Sequence, residues 1–309
     1  MSIPLLVIAG PTGVGKSAVA VAVAQTLRAE VVGADSMQVY RGMDVGTGKL
    51  RPEEMGGVPH HMIDVWEPAD PGSAGRYLRE ARAVIGAVHG RGSLPLLCGG
   101  TGLYIRAVID GLAEGAGREP AVERALAERL RADGPEPLHA ELTQVDPEAA
   151  ARIAPSDGFR IIRALGVFLA TGTPFSRYQA MATVAGDYRT VYVCLHRTRR
   201  ELYERIDARV AEMFGGGLVE EVSRLAPRLG ATARAAIGYR ECLQHLAGEM
   251  DLATTIAAVQ QATRHYAKRQ LTWFRSVSGA IEVKIAGEVG AAVPEIVNLA
   301  LDRGIATGW

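Results

Sequence analysis

The chain has 309 residues, of which 48% are hydrophobic and 22% charged, and its 34 basic side chains are balanced by 34 acidic ones. That size and mixture describe an ordinary globular protein of one or two domains with room for a large core. A formal charge of zero excludes nucleic-acid binding through overall charge, but not a local basic face.

The first apolar run, with a strand predicted at LLVIAG (5–10), leads into GPTGVGKS at 10–17. This fits the phosphate-binding pattern G-x-x-x-x-G-K-[ST]. A glycine-rich turn between a strand and a helix directs backbone N–H groups, and the positive helix terminus, at a polyphosphate. Gly10, Pro11, Thr12, Gly13, Val14, Gly15, Lys16 and Ser17 are therefore the predicted diphosphate- or nucleotide-binding residues. Lys16 adds a cation and Ser17 a hydroxyl able to ligate Mg²⁺. Lysine is scarce here: four of the 34 basic residues are lysines, so one inside this loop is less easily incidental. The apolar run before the loop is about eight residues, far short of the roughly 20 a membrane span needs, and no basic region precedes it. A cytoplasmic, monomeric protein with no membrane segment is expected.

A helix over SAVAVAVAQTLRAE and a strand at VVGADS (31–36) follow, which opens a parallel α/β sheet. Further buried strands are predicted at LPLLCGG (94–100) and VYVCL (191–195). In a doubly wound sheet the C-terminal strand ends form the ligand crevice. Asp35 falls there, as an acid linked to Mg²⁺, a general base, or a turn cap. Thr101 in GGTGLYIRA follows another strand, where Gly-Gly-Thr reads as a ligand approach or as plain turn chemistry. His60 and His61 are adjacent in a strand-like run and point to opposite faces, which makes a poor chelating pair. Cys98, Cys194 and Cys242 are far apart and suit reduced thiols rather than a disulfide framework or zinc site.

From 112 to 190 the chain changes to charged helical patterns broken by Gly and Pro, read as a helical insertion within a core formed by 1–111 and 191–309. Helices follow at RRELYERIDARVAEMF, LVEEVSRLAPRL and TTIAAVQQATRHYAKRQLTWF. Arg205 and Arg209, four apart, suit a phosphate clamp or a plain surface pair. Arg264, Lys268, Arg269 and Arg275, interleaved with Tyr266, Trp273 and Phe274, could line a polyanion, or form a solvated basic helix with its rings in the core. Beyond about residue 280 no signal is readable.

In order along the chain, GPTGVGKS, ADSMQVYRGMDVGTGK, GVPHHMIDV, PLLCGGTGLYIRA, FRIIRALGVF, AIGYRE and AKRQLTWFR resemble the tRNA dimethylallyltransferase (tRNA isopentenyltransferase) family, bacterial type, from residue 3 to about 276. The resemblance implies a P-loop, kinase-like parallel sheet flanked by helices, with an all-helical insertion that contacts the tRNA. It also implies transfer of a dimethylallyl group from dimethylallyl diphosphate to N6 of the adenosine immediately 3′ of the anticodon, with diphosphate released and Mg²⁺ as cofactor. Position by position, Asp35 corresponds to the general base, Thr101 to a threonine near the reacting centre and Arg209 to an arginine that holds the diphosphate. The tRNA-contacting stretches correspond to Asp35, Ser36, Met37 and Gln38, to Thr101, and to Phe159, Arg160, Ile161, Ile162 and Arg163. Glu123 stands where relatives often carry a tRNA-proximal arginine, with Arg124 beside it. Ala235 occupies a place often held by Arg or Gln, with Arg234 one earlier. A phosphate loop alone would also suit an ATP-dependent small-molecule kinase, an adenylate isopentenyltransferase using free AMP, or a non-catalytic RNA-binding ATPase.

Overall fold

The computed structural model describes residues 2–112, 119–180 and 185–306. Two compact units emerge: Met1–Ile109 together with Asp187–Trp309, and Asp110–Gly186. In chain order, the first unit opens with β1 (Ile3–Ala9), α1 (Lys16–Leu27), β2 (Ala29–Gly33), β3 (His60–His61), α2 (Ala74–Gly90), β4 (Leu94–Gly99) and α3 (Gly102–Asp110). The second unit holds α4 (Pro120–Asp133), α5 (Pro135–Val145), α6 (Pro147–Arg152), α7 (Gly158–Thr171) and α8 (Phe175–Ala180). The first unit then resumes with β5 (Tyr188–His196), α9 (Arg199–Gly215), α10 (Leu218–Leu225), α11 (Ala231–Arg234), α12 (Tyr239–Leu246), α13 (Leu252–Arg275), β6 (Ile281–Lys284) and α14 (Val293–Asp302).

All six strands run parallel, in the order β3-β2-β4-β1-β5-β6. The central β1 is fully apolar because both its faces are covered. Leu5, Val7 and Ala9 pack with Tyr77, Ala81 and Ile85 of α2 on one face. Leu6 and Ile8 pack with Val19, Ala20 and Val23 of α1 and with Leu202 and Ile206 of α9 on the other. Parallel pairing places Ile8 opposite both Cys98 and Val193, so the C-terminal ends of β1, β4 and β5 lie side by side. Loops that leave those ends must share one edge of the sheet, the usual crevice of such folds.

The second unit buries its own apolar set, including Leu126, Leu138, Leu142, Ile161 and Leu165. Asp146 is the one buried carboxylate among the described residues of this unit. It accepts from Ala149 N at 3.0 Å, capping α6, and from Ser176 N at 2.7 Å and Ser176 Oγ at 2.6 Å, which pins α8 against α6.

The expected bounds shift in several places. α1 stops at Leu27 because Arg28 takes a left-handed φ of 49°, and β2 therefore begins at Ala29 instead of 31. Asp35 consequently sits two residues past the strand, in the loop. β5 starts at Tyr188, since Ile3 and Pro4 of β1 extend the pairing back to Tyr188 and Arg189, and the helical unit ends at Gly186, not 190. The segment after 280, unreadable in the sequence, supplies β6 and α14. β6 has four residues on the sheet edge, too few for a visible alternation, and α14 adds Ile296 and Ala300 to the core beneath α1.

Candidate active site

The loop from Gly10 to Gly15 connects β1 to α1 in a conformation that only its glycines adopt freely. Gly10, Gly13 and Gly15 have φ of 151°, 80° and 106°, and a Cβ on Gly10 would lie 2.7 Å from the Leu195 carbonyl oxygen. Cationic side chains hold three of the loop's carbonyls: Lys16 Nζ donates to Pro11 O at 2.9 Å, Arg205 Nε to Gly13 O at 2.9 Å, and the buried Arg197 Nε to Val14 O at 3.1 Å. The first N–H groups of α1 have no intrahelical acceptor, which makes the helix start an anion site. Burial brings the Lys16 ammonium down to about 8, against partial compensation from Asp35.

Beside this loop lies the turn after β2. Asp35 Oδ1 accepts from Met37 N at 2.8 Å and Gln38 N at 3.3 Å, so the carboxylate does cap a turn, and this leaves Oδ2 for other work. Thr101 Oγ1 accepts from Ser36 N at 3.0 Å, which joins the loops after β2 and β4. From α9, Arg209 reaches Thr12 Oγ1 with Nη1 at 3.3 Å and the Thr47 and Gly48 carbonyls with Nη2 at 3.4 and 3.3 Å. Burial lowers its guanidinium from the ordinary value, with Asp35 acting in the opposite direction. Thr12, Asp35, Arg209 and Tyr266 line the polar side of a cavity of about 350 Å³. Ile206, Val210, Met213, Leu218 and Val259 supply apolar wall. Thr12 of the Gly10–Ser17 loop, an arginine and a carboxylate therefore meet at one chamber with apolar wall.

Sequence and structure comparisons agree on kinship. An IPP transferase family model matches residues 38–277, and an isopentenyl transferase model matches 3–65. A tRNA dimethylallyltransferase of Anaeromyxobacter dehalogenans is 48% identical over 90% of this chain and 93% of its own length. The corresponding protein of Symbiobacterium thermophilum is 43% identical over 98% and 97%. The chain belongs to the tRNA dimethylallyltransferase family. Among solved structures, the tRNA isopentenylpyrophosphate transferase of Bacillus halodurans is 38% identical over 97% of this chain and 96% of its own, with a TM-score of 0.72. A eukaryotic dimethylallyltransferase acting on tRNA is 26% identical over 95% of this chain and 77% of its own, with a TM-score of 0.79. A P-loop, kinase-like core is thus the dimethylallyltransferase architecture in this chain.

The structure brings together Gly10–Ser17, Asp35, Ser36, Met37, Thr101 and Arg209 within the first unit. Gln38 donates Nε2 to the carbonyl of Thr47, a chamber residue, at 3.0 Å. Glu123 and Phe159–Arg163 gather in the second unit, where Arg163 Nη1 lies 3.9 Å from Glu123 Oε1 and Arg160 pairs with Asp157 at 3.2 Å. Phe159 is 72% exposed. The basic stripe on α13 divides. Arg264 is tied to Asp207 of α9, and Phe274 is buried while Trp273 packs against the core, so those two rings are not open to a base. Lys268, Arg269 and Arg275 remain exposed. His60 and His61 engage Val58 O and Glu30, and among the described residues no cluster of His, Cys, Asp or Glu could hold a metal. Nor is any described helix long and apolar enough to cross a membrane.

Two residues escaped the sequence reading. Glu221 is buried on α10 and accepts from Asp44 N at 2.9 Å, Val45 N at 2.8 Å, Gly46 N at 3.0 Å and the Tyr239 hydroxyl, fixing the loop whose carbonyls receive Arg209. Its signal was present: it shares the apolar face with Leu218, Val222 and Leu225. Gln270 lies buried within the basic run of α13, three residues after buried Ala267 and four before buried Phe274, a spacing that puts it on the inner face without naming its partners.

Proposed function

We propose that this chain transfers the dimethylallyl group of dimethylallyl diphosphate to N6 of the adenosine immediately 3′ of the anticodon in tRNA, releasing diphosphate. The observation that carries this is a chamber in which Thr12 of the phosphate loop, Arg209 and Asp35 meet over apolar wall. A five-carbon prenyl group needs apolar wall beside the diphosphate it leaves.

In the reaction the N6 lone pair attacks C1 of the donor, the new C–N bond forms as the C–O bond to diphosphate breaks, and the extra N6 proton passes to Asp35. Oδ1 of Asp35 is occupied by two backbone donors, which orients Oδ2 as the acceptor. Charge grows on the departing diphosphate. Lys16, Arg209 and the N-terminal N–H groups of α1 are fixed beforehand to receive it. The donor available for a cation is hard oxygen, the Ser17 hydroxyl in the first turn of α1, which suits Mg²⁺ shared with phosphate oxygens and water. Bound there, Mg²⁺ would supply further neutralisation of the diphosphate.

An anticodon-loop adenine is stacked and must be extruded before its amine can react. Ser36 and Met37, which line the chamber, and Thr101, bonded to Ser36 N, would border it, and the exposed Phe159 with Arg160 and Arg163 on α7 would offer a ring and cations to RNA. This reading is of a monomer acting on cytoplasmic tRNA.

The test is to incubate the protein with unmodified tRNA, Mg²⁺ and dimethylallyl diphosphate labelled in the prenyl group. Label should appear on N6 of the adenosine 3′ of the anticodon. Label moving to free AMP but not tRNA, or phosphate moving from ATP, would replace this reading with an adenylate prenyltransferase or a kinase.

A further inference from the structure

Gln270 is 5% exposed and uses both ends of its side chain. Oε1 accepts from Thr12 N at 2.8 Å, inside the phosphate loop, and Nε2 donates to Gly100 O at 2.8 Å, in the turn after β4. The approach is close: a Cβ on Gly100 would fall 2.4 Å from that Nε2, so the turn is pressed against the amide. Thr101, next in the chain, accepts from Ser36 N at 3.0 Å, and Ser36 adjoins Asp35. Tyr266 faces the same chamber from α13, four residues before Gln270. Three hydrogen bonds, linked through the chain neighbours Gly100–Thr101 and Asp35–Ser36, thus connect the loop that would hold the diphosphate to the residue that would take the amine proton.

We infer that Gln270 is a positioning residue that fixes the phosphate loop at a set distance from the Thr101–Ser36–Asp35 turn, and so aligns donor carbon and acceptor amine. This rests on the prenyl-transfer reading for its kinetic consequence, but the mechanical coupling does not. The chemistry asks for an amide at this place. Thr12 presents a donor and Gly100 an acceptor, and only a side chain with one acceptor and one donor satisfies both. Among the described residues no other side chain is bonded to both turns. A displacement of about 1 Å between reacting groups costs on the order of 10²-fold in rate without weakening either substrate's binding.

Two variants of the full chain test this. Gln270→Met keeps the volume and loses both bonds. Gln270→Glu keeps the acceptor for Thr12 but sets a second oxygen against Gly100 O, and it regains the missing donor when protonated. Single-turnover transfer at saturating tRNA and donor should fall roughly 10- to 100-fold in Gln270→Met, while the Kd for inorganic diphosphate changes less than about threefold. The rate of Gln270→Glu relative to wild type should rise as pH is lowered from 8 to 6. Independently of any reaction, hydrogen exchange in wild type should show diphosphate protecting both the 10–17 and the 98–104 segments. In either variant protection should persist in 10–17 and be lost in 98–104. Unaltered protection of 98–104 in both variants, or single-turnover rates within threefold of wild type, would overturn the assignment. Failure of the wild-type protein to transfer at all would overturn the reaction instead, and the exchange result would still decide the coupling.

Discussion

Lys16 Nζ donates to Pro11 O at 2.9 Å within a site that takes its ammonium down to about 8, chiefly through burial. The side chain is held against a carbonyl of its own loop until a ligand replaces that partner. Below pH 8 Lys16 is charged and attracts a diphosphate. Above it the free protein loses that charge. Diphosphate affinity should therefore weaken as pH rises from 7.5 to 9.5, and binding at pH 8.5 should take up protons because the bound anion restores the ammonium. Calorimetry in buffers of different ionisation enthalpy reads that uptake. Equal heats in all buffers would remove Lys16 from the anion site.

Glu221 fastens the 44–46 turn through three backbone donors, and Arg209 leans on the carbonyls of Thr47 and Gly48 just beyond it. Gln cannot accept with its amide nitrogen, so Glu221→Gln leaves at least one buried N–H without a partner. The expected cost is about 3 kcal/mol in urea unfolding. A rise of roughly tenfold in donor KM should accompany it, from the loosened arginine anchor. An unchanged KM would confine Glu221 to the fold.

At the opposite end of the sheet, Arg91 holds Glu30 with two hydrogen bonds and His61 Nε2 lies 2.7 Å away. The Arg91 bond foremost brings the Glu30 carboxyl down to about 2. A depressed acid stabilises the fold above its unfolded value, near 4.5, and that contribution disappears as pH falls towards 2. Glu30→Gln should lower the Tm by several degrees at pH 7 and by progressively less as acid is added. Thermal melts from pH 7 to 3 check this, and a gap that stays constant would show the ion pair to be inert.

On α7, Phe159 stands 72% exposed and Arg160 keeps 69% of its side-chain surface despite its pairing with Asp157. Replacing Arg160 and Arg163 with Ala should weaken tRNA binding and reduce the slope of log K against log salt by roughly 1 per lost phosphate contact. Phe159→Ala should cost about 1–3 kcal/mol of tRNA affinity with little change in salt slope, as expected for lost stacking. Diphosphate binding should not respond to any of them. A double arginine variant with the wild-type slope would place the RNA elsewhere.

How far the site could be read from sequence depends on the range of each interaction. The phosphate loop was legible because its geometry is local: three glycines at positive φ and a lysine one residue into the helix announce themselves in eight positions. Asp35 and Thr101 were legible as residues beyond strand ends, once the sheet was recognised as parallel. Gln270 was not, because its partners Thr12 and Gly100 lie 258 and 170 residues away and nothing in α13 encodes that encounter. β6 was missed for a similar reason, since four residues, Ile281–Lys284, become a strand only by pairing with β5. Trp273 and Phe274 were ambiguous between core and RNA, and packing decided for the core.

The central claim is that Asp35 takes the N6 proton while its neighbours hold the leaving group, and Asp35→Asn is its most direct measurement. The substitution retains shape and an oxygen for the Met37 and Gln38 N–H groups and removes only the basic site. In single-turnover experiments with saturating tRNA and dimethylallyl diphosphate, transfer should slow by roughly 10²- to 10⁴-fold while both substrates still bind. Near wild-type transfer by Asp35→Asn under those conditions would contradict the assignment and leave Asp35 as the cap of its turn.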